Sequence, residues 1–305
     1  MIIKHIPEDF YVKEEMELKL GRGDYSYFIL EKKNIGTLEA VNLIAGKLGI
    51  NQKRVGFSGY KDKKAVTEQY ISIFKINKDN VGRLNLYGIN LTYIGSGNER
   101  INAGDLKHNY FRIVVRYLDE KNKLENKEFK NYFDEQRFGI NKNNHLIGRA
   151  IIKREFDKAC NLLKLNVENN NYVGALRTID KRKLRFYVSA YQSHLFNEVL
   201  NKLNKKIGKL PILGYLTELD NTFKRLYGKV MKEEGIGQED FIIKQMPELS
   251  SEGAMRNAYE MAMDFKYSYE DDEIFKGKYK AILEFKLNPG TYATCFVKSL
   301  FSKGL

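Results

Sequence analysis

Hydrophobic and polar side chains alternate in four short stretches of the first part of the chain. Residues 10–14 (FYVKE) and 25–31 (YSYFILE) are rich in β-forming side chains, and the glycines in GRGD (21–24) supply turn residues between them. The same alternation occurs in 69–76 (QYISIFKI) and 110–117 (YFRIVVRY). The pattern predicts a strand in each of these four stretches.

A helical spacing interrupts these strands between residues 36 and 50. Apolar residues recur there every three or four positions, so that they share one face of a helix; they are Leu38, Val41, Ile44, Ala45 and Leu48. Thr37 is the expected N-cap residue and Gly49 the expected C-cap residue. The segment is therefore predicted to form an amphipathic helix.

The middle of the chain, from about residue 150 to 265, has mainly helical spacing. Three segments carry this spacing most clearly, namely 155–165, 189–203 and 250–265. In the second segment, Ser189 and Gln192 fit a capping box, in which two side chains bond to free backbone amides at the start of a helix. The buried stripe expected for that helix consists of Leu195, Phe196, Val199, Leu200 and Leu203.

Strand spacing returns near the end of the chain. Residues 281–287 (AILEFKL) alternate, and Pro289 and Gly290 predict a turn after them. Strand-rich ends around a helical middle indicate an α/β (α+β) protein in which a middle domain is inserted and the C-terminal strand rejoins the first sheet. The length of 305 residues suits one large domain or two ordinary ones.

Composition places the chain among ordered globular proteins, since 43% of the residues are hydrophobic and 12% aromatic. Lys and Arg number 52 against 39 Asp and Glu, and this net charge of +13 favours an extended polyanion such as RNA as partner. A lysine-rich coding bias that only solvates the surface is the alternative. The basic segments 180–186 and 200–210 fit both interpretations equally.

Several classes of protein are disfavoured by the sequence. No apolar run approaches the ~20 residues that span a bilayer, and the first residues lack the pattern of a signal peptide, so we expect a cytoplasmic protein. None of the four histidines lies in a metal-binding frame, and Cys160 and Cys295 are far apart. Phosphate-binding glycine loops are also missing. The sequence thus predicts neither a metal site nor a cofactor.

One acidic residue in the stretch GFSGYKDKKAVTEQY (56–70) remains as a candidate for chemistry. Asp62 lies in the connection between a short predicted strand at 55–59 and the strand at 69–76, where glycines allow the backbone to turn beside a ligand. Its carboxylate, between Lys61 and Lys63, could form a structural ion pair, stabilise a turn or act as a nucleophile. The residues alone leave these three interpretations open.

Five motifs occur along the chain in a fixed order: EDFYVKE (8–14), SGYKDKKAVTEQ (58–69), NYFDEQRFG (131–139), SAYQSHLFN (189–197) and PGTYAT (289–294). Together they resemble the TruD family of tRNA pseudouridine synthases. The resemblance implies a pseudouridine-synthase catalytic domain, with a mixed and largely antiparallel sheet, formed by residues 1–154 and 263–305. It also implies an inserted α/β TRUD domain at 155–262.

The same resemblance implies an isomerase that converts uridine to pseudouridine in tRNA, at position 13, without a cofactor. Asp62 would be the nucleophile. The residues expected to bind the substrate are Phe10, Asn131, Tyr292 and Lys61. Lys61, ranked nearly equal with Lys63, would also keep the carboxylate ionised, and the uridine would be flipped out. We expect a monomer that needs no protein partner.

Two other functions compete with this one. A tRNA- or rRNA-binding module that has the same fold but has lost catalysis would have no reason to keep a carboxylate where phosphates approach. An RNA methyltransferase would need a methyl-donor loop, which the sequence lacks. Three residues depart from the family pattern: Tyr292 stands where Phe is frequent, and Asp134 and His108 where Gly is common.

Overall fold

The computed structural model describes residues 1–82 and 84–302, and the chain forms two compact units. Among the described residues, the first contains Met1–Lys127, Met261–Ala293 and residues 300–302, and the second contains Glu128–Glu260 and Thr294–Ser299. The domain limits expected from the sequence, with an insertion at 155–262, stay a prediction. The units divide the chain earlier, after Lys127.

Packing between two helices explains why residues before 155 belong to the second unit. The helix Asn144–Ile152 lies against the helix Lys181–Asn201, and a Cβ added to Gly148 would come within 2.0 Å of the carbonyl oxygen of Tyr187. Such a close approach leaves room only for glycine.

The strands are β1 (Ile2–Ile3), β2 (Phe10–Met16), β3 (Tyr25–Lys33), β4 (Val55–Phe57), β5 (Val66–Phe74), β6 (Ile89–Gly97), β7 (Leu106–Leu118), β8 (Phe129–Lys130), β9 (Lys209–Ile212), β10 (Ala254–Asn257), β11 (Tyr259–Glu260), β12 (Met263–Asp271) and β13 (Tyr279–Leu287). The first unit contains a sheet in the order β12-β13-β7-β2-β5-β3-β6, with β1 on β7 and β4 on β5. Its pairings are antiparallel except for β2 with β5.

The helices are α1 (Thr37–Leu48), α2 (Lys78–Gly82), α3 (Glu135–Phe138), α4 (Asn144–Ile152), α5 (Phe156–Leu163), α6 (Tyr172–Arg177), α7 (Lys181–Asn201), α8 (Asn221–Glu234) and α9 (Ala293–Phe301). Short 3₁₀ turns lie at Pro7–Asp9, Gln52–Arg54, Ala103–Asp105, Gln238–Phe241 and Pro247–Leu249. In the second unit, α4 to α8 surround a core that includes Ile151, Tyr191, Phe196, Tyr227 and Phe241.

The predicted fold class and strands are confirmed. Each alternating stretch contributes to a strand, although β5 ends at Phe74, two residues before the predicted limit, and β4 ends at Phe57. The C-terminal strand β13 pairs with β7 of the first sheet. Alternation placed Ile71 and Ile73 of β5 on the core side, where both are fully buried beside Ile44 of α1. The turn at Pro289 and Gly290 is also present, with Gly290 at φ +81°.

Helix α1 has the predicted C-cap but not the predicted N-cap. Gly49 ends the helix in the left-handed conformation, at φ +64°. Gly36 is the N-cap residue, so the prediction for Thr37 is wrong. The hydroxyl of Thr37 is buried and lies 2.9 Å from Gln69 Oε1, so it serves the sheet rather than its own helix.

Two predictions for the second half of the chain are wrong. Helix α7 begins at Lys181 with Asp180 as its N-cap, so Ser189 lies in mid-helix and forms no capping box with Gln192. Segment 250–265 is not a helix, since it contains β10, β11 and the start of β12. Gly253, at φ +95°, directs the chain into β10.

Candidate active site

Asp62 lies in the turn between β4 and β5, where the sequence placed it. One oxygen of its carboxylate is 2.5 Å from Nζ of Lys4, and both side chains are 18% exposed. Lys4 follows β1 and adopts a positive φ of 59°. Its ammonium also lies 3.9 Å from the centroid of the Phe10 ring. A carboxylate, a cation and an aromatic ring from three separate segments therefore meet in the first unit.

Phe10 begins β2 and is 3% exposed. Its ring packs edge-on against Phe111 at 6.1 Å, in addition to its contact with Lys4. These contacts place the ring against the cation that holds Asp62. A direct contact between Phe10 and a uridine stays a prediction.

A buried ion pair connects the turn to β2. Lys61 Nζ lies 2.6 Å from Oε1 of Glu14, and their side chains are 8% and 0% exposed. Glu14 also accepts hydrogen bonds from the Ser58 hydroxyl and from the backbone N–H of Tyr70, at 3.0 Å in the second case. The carboxylate of Glu14 thus joins β2, both sides of the turn and β5. Contact between Lys61 and a substrate stays a prediction.

A second set of buried hydrogen bonds holds the main chain of the turn. The N–H of Lys61 donates to the Thr37 hydroxyl at 2.9 Å, and that hydroxyl donates to the Gln69 side chain. Gln69 in turn donates to the carbonyl of Gly59 at 3.3 Å. The start of α1 and the strand β5 therefore set the course of the backbone just before Asp62.

The sequence missed the residues that support Asp62. Lys63, the alternative to Lys61 as the cation expected beside Asp62, forms an exposed ion pair with Glu39 at 3.1 Å. The sequence does not indicate Lys4, because a single lysine outside any periodic pattern carries no local signal. Only the pairing of β1 and β2 with β7 brings it beside a turn that lies 58 positions later.

Asn131 belongs to the second unit. Its side chain is 2% exposed, donates to the carbonyl of Asn257 at 3.0 Å and accepts from Arg256 Nη2 at 2.7 Å. The Arg256 guanidinium also lies 4.1 Å from the centroid of the Phe133 ring. Arg256, which the sequence did not single out, therefore positions the amide. A contact between Asn131 and substrate stays a prediction.

Tyr292 and Asp134, two residues that depart from the family pattern, both lie next to the start of a helix. Tyr292, in the first unit, follows the turn at Gly290 and directly precedes α9. Asp134 is the N-cap residue of α3 at φ −86°, and its carboxylate accepts from Thr294 and lies 3.3 Å from Lys298 Nζ. The charge that Asp134 adds is thus balanced within the second unit.

Across residues 1–82 and 84–302, no group of three or more His, Cys, Asp and Glu side chains is arranged to hold a metal ion. None of the helices in this part of the chain is long and apolar enough to cross a bilayer. The turn itself brings the Asp62 carboxylate, the Lys4 ammonium and the Phe10 ring together.

The fold of this chain has a counterpart among solved structures. A crystal structure assigned as tRNA pseudouridine synthase D of Methanosarcina mazei has the same fold, with a TM-score of 0.72 and 24% identity over 98% of this chain and 92% of that chain. The chain belongs to the tRNA pseudouridine synthase D (TruD) family, whose model matches residues 1–165, 161–210 and 204–300.

Two named relatives are similar over nearly their whole length. The tRNA pseudouridine synthase D of Aquifex aeolicus is 28% identical, over 98% of this chain and 97% of that protein. A Nanoarchaeum equitans protein named "Probable tRNA pseudouridine synthase D" is also 28% identical, over 99% of this chain and 98% of that protein. Similarity thus includes both units of the chain.

Proposed function

We propose that this protein is a tRNA pseudouridine synthase that converts uridine to pseudouridine at position 13 of tRNA, with Asp62 as nucleophile. The observation that carries the proposal is the Asp62 carboxylate, 2.5 Å from Lys4 in a turn held by buried hydrogen bonds, in a chain of the TruD family. Preorganisation of this kind is what a reacting group requires.

The reaction is an isomerisation. The bond between C1′ and N1 of the uridine breaks, a bond between C1′ and C5 forms, and C5 loses a proton while N1 gains one. No oxidant or reductant enters this balance. Asp62 begins the reaction by adding to C6, attacking C1′ or removing a proton from C2′. A uridine stacked within tRNA must first be flipped out, at a cost of a few kcal/mol.

Each remaining residue has a proposed role around that flipped uridine. Lys4 orients the carboxylate and balances its charge, and Lys61 acts through Glu14 by fixing the turn. Asn131 hydrogen-bonds the nucleotide, Tyr292 offers it an aromatic face, and Phe10 contacts it from beside Lys4. The intact carboxylate and its buried supports favour an active enzyme over an inactive RNA-binding module.

We further propose that residues 155–262 form the inserted domain, while 1–154 and 263–305 carry catalysis. The mainly helical character of α5 to α8 supports this assignment. The enzyme is proposed to act as a monomer in the cytoplasm, where tRNA is processed. Sedimentation at a mass well above 35.5 kDa would contradict the monomer.

Product formation from an unmodified tRNA transcript tests the function directly. The wild-type protein should form pseudouridine at position 13 without added cofactor. Asp62→Asn should bind the transcript with a Kd within about threefold of wild type and form no product, because the amide cannot act as a nucleophile. Asp24→Asn is the matched control, since Asp24 forms an exposed ion pair with Lys75 at 3.7 Å. It should retain full activity.

The same assay examines the residues assigned to the nucleotide. Asn131→Ala and Tyr292→Ala should lower kcat/KM by about tenfold or more, and Tyr292→Phe should stay close to wild type because stacking is preserved. Full activity of Asp62→Asn would refute the proposed nucleophile. Equal activity of the Ala and Phe variants at Tyr292 would refute stacking there.

A further inference from the structure

Another lysine, to which the proposed mechanism assigns no role, contacts the turn that carries Asp62. Lys32 in β3 is 2% exposed, although an ammonium group is rarely buried so completely. Its Nζ donates to the carbonyl oxygen of Ile35 at 2.7 Å and to that of Asp62 at 3.1 Å. One of its two acceptors is thus the main chain of the proposed nucleophile itself.

Burial opposes the charge on this lysine. Removal from water lowers the pKa of Lys32 to about 8, while the nearby Asp62 carboxylate acts in the opposite direction. Lys61 from the turn disfavours the ammonium form and Glu39 from α1 favours it. Backbone carbonyls can be satisfied by neutral donors, so hydrogen bonding alone does not explain a buried cation here.

We propose that Lys32 is a positioning residue for Asp62. Its ammonium donates to the carbonyl oxygen of Asp62, while the Thr37 hydroxyl accepts from the N–H of Lys61. The peptide group before Lys61 and the peptide group after Asp62 are therefore both held by side chains, one from α1 and one from β3. The direction of the Asp62 side chain follows from that backbone. The ammonium also adds a positive charge near the carboxylate, besides that of Lys4.

This inference rests on the proposed function of Asp62, and kinetics at different pH values test it. At saturating tRNA, kcat of the wild type should fall above pH ~8 as Lys32 loses its proton, with KM nearly constant. Lys32→Met should lower kcat by about 10²-fold through misplacement of the nucleophile and should show no such alkaline decrease. Lys32→Arg keeps a cation and should retain more activity than Lys32→Met.

Lys33→Met is the matched control, because Lys33 is the next residue of β3 and its side chain is 55% exposed. It should behave as wild type at every pH. Circular dichroism melting of all variants establishes that they are folded. An alkaline decrease that persists unchanged in Lys32→Arg would come from the RNA or another group and would overturn the inference, as would a wild-type kcat for Lys32→Met.

An NMR titration separates this inference from the proposed function. The backbone nitrogen of Lys63 is bonded to the Asp62 carbonyl carbon, so its chemical shift should change with a midpoint near pH 8 as Lys32 loses its proton in ¹⁵N-labelled wild type. The change should be missing in Lys32→Met. That result is expected even if the wild type makes no pseudouridine, in which case only the proposed function fails. A Lys63 amide chemical shift that does not change in this pH range would overturn the placement of Lys32.

Discussion

Lys61 and Lys63 are two residues apart and both form an ion pair, yet the two pairs differ in their surroundings. Lys61 and Glu14 are almost fully buried at 2.6 Å, whereas Lys63 and Glu39 are 64% and 51% exposed at 3.1 Å. Water screens the exposed pair and solvates either partner when the other is removed. A buried charge that loses its partner has no such compensation.

The two lysines should therefore differ sharply in their contribution to stability. Lys61→Met leaves the Glu14 carboxylate buried without its cation, which should cost about 3–5 kcal/mol in the free energy of unfolding. Lys63→Met, the same change at an exposed pair, should cost about 0–1 kcal/mol. Urea unfolding followed by circular dichroism measures both values.

A third variant shows whether the loss comes from the unpaired carboxylate. Adding Glu14→Gln to Lys61→Met removes the buried charge, so the double variant should be more stable than Lys61→Met alone. Equal losses for Lys61→Met and Lys63→Met would contradict the assignment of Lys61 to a buried supporting pair.

At the scale of single elements, the N-terminal half of α7 presents two arginines to a cavity. The cavity has a volume of about 430 Å³ and its lining includes Arg182, Arg185, Phe186, Ser250 and Ser251. Arg185 Nε donates to the carbonyl of Glu248 at 2.8 Å, which leaves its terminal nitrogens for other partners. Arginines three positions apart share one face of a helix, an arrangement that suits contact with an RNA phosphate.

Replacement of both arginines should weaken tRNA binding. We expect Arg182→Ala/Arg185→Ala to raise Kd by about tenfold at fixed ionic strength, to reduce the slope of log Kd against log salt by about 1–2, and to leave kcat nearly unchanged. Fluorescence anisotropy with labelled tRNA, over a series of salt concentrations, measures both quantities.

The control for this prediction removes the same charge elsewhere in the second unit. Lys224 and Arg225 of α8 are both exposed, so Lys224→Ala/Arg225→Ala should change Kd by less than about twofold. If both double variants weakened binding equally, net charge alone would govern the affinity, and the basic segment at 180–186 would be an ordinary solvated surface.

The spacing of apolar residues predicted a helix or strand correctly where that element buries residues at regular intervals. Alternation located β5 and β7, because every second residue is buried along most of each strand. In 250–265 the spacing of Ala258 and Ala262 fits a helix, and both are buried. Met255 and Met261, at 54% and 52% exposure, show that the apolar residues of this segment do not form one buried face. Pairing with β9 and β8, which are remote in sequence, decides β10 and β11.

Candidate residues followed the same rule. Asp62 was identified because its neighbours in sequence form a distinctive motif. Lys4, which follows β1, and Lys32 of β3 lie 58 and 30 positions away from Asp62, and no local pattern indicates these contacts. Ser189 and Gln192 matched a capping box by spacing, but Gln192 bonds to Leu213 and Ser251 in the folded chain. Tertiary partners override local hydrogen-bonding options.

At the scale of the whole chain, one buried arginine joins three distant segments of the first unit. Arg116 in β7 is 3% exposed and bonds to Asp9 at 2.8 Å, to Asp272 at 2.9 Å and to Glu273 at 3.0 Å. Asp9 immediately precedes Phe10, and it also accepts from the N–H of Ile6. The cluster thus anchors the segment that carries Lys4 to a loop near the C-terminal end of the unit.

Acid should weaken this anchor in a defined pH range. Hydrogen bonds from Arg116 and Lys280 lower the pKa of Glu273 from 4.5 to about 2. As pH falls, the unfolded chain therefore takes up this proton first, so the stabilisation is complete above pH 4.5 and is lost between pH 4.5 and 2. Asp272 contributes in the same direction, because its pKa is also lowered: hydrogen bonds from backbone amides and Arg116 outweigh its desolvation.

Glu273→Gln isolates the contribution of one carboxylate to this acid sensitivity. At pH 7 the variant should be less stable than wild type by about 1 kcal/mol, a small value because Glu273 is 56% exposed and water screens its charge. The difference should shrink towards zero as pH falls from 4.5 to 2, since protonated Glu and Gln are then alike. Urea unfolding at a series of pH values measures it. Glu99→Gln, at an exposed pair with Lys19, should show no such convergence, and a difference for Glu273→Gln that is independent of pH would exclude the charge as its cause.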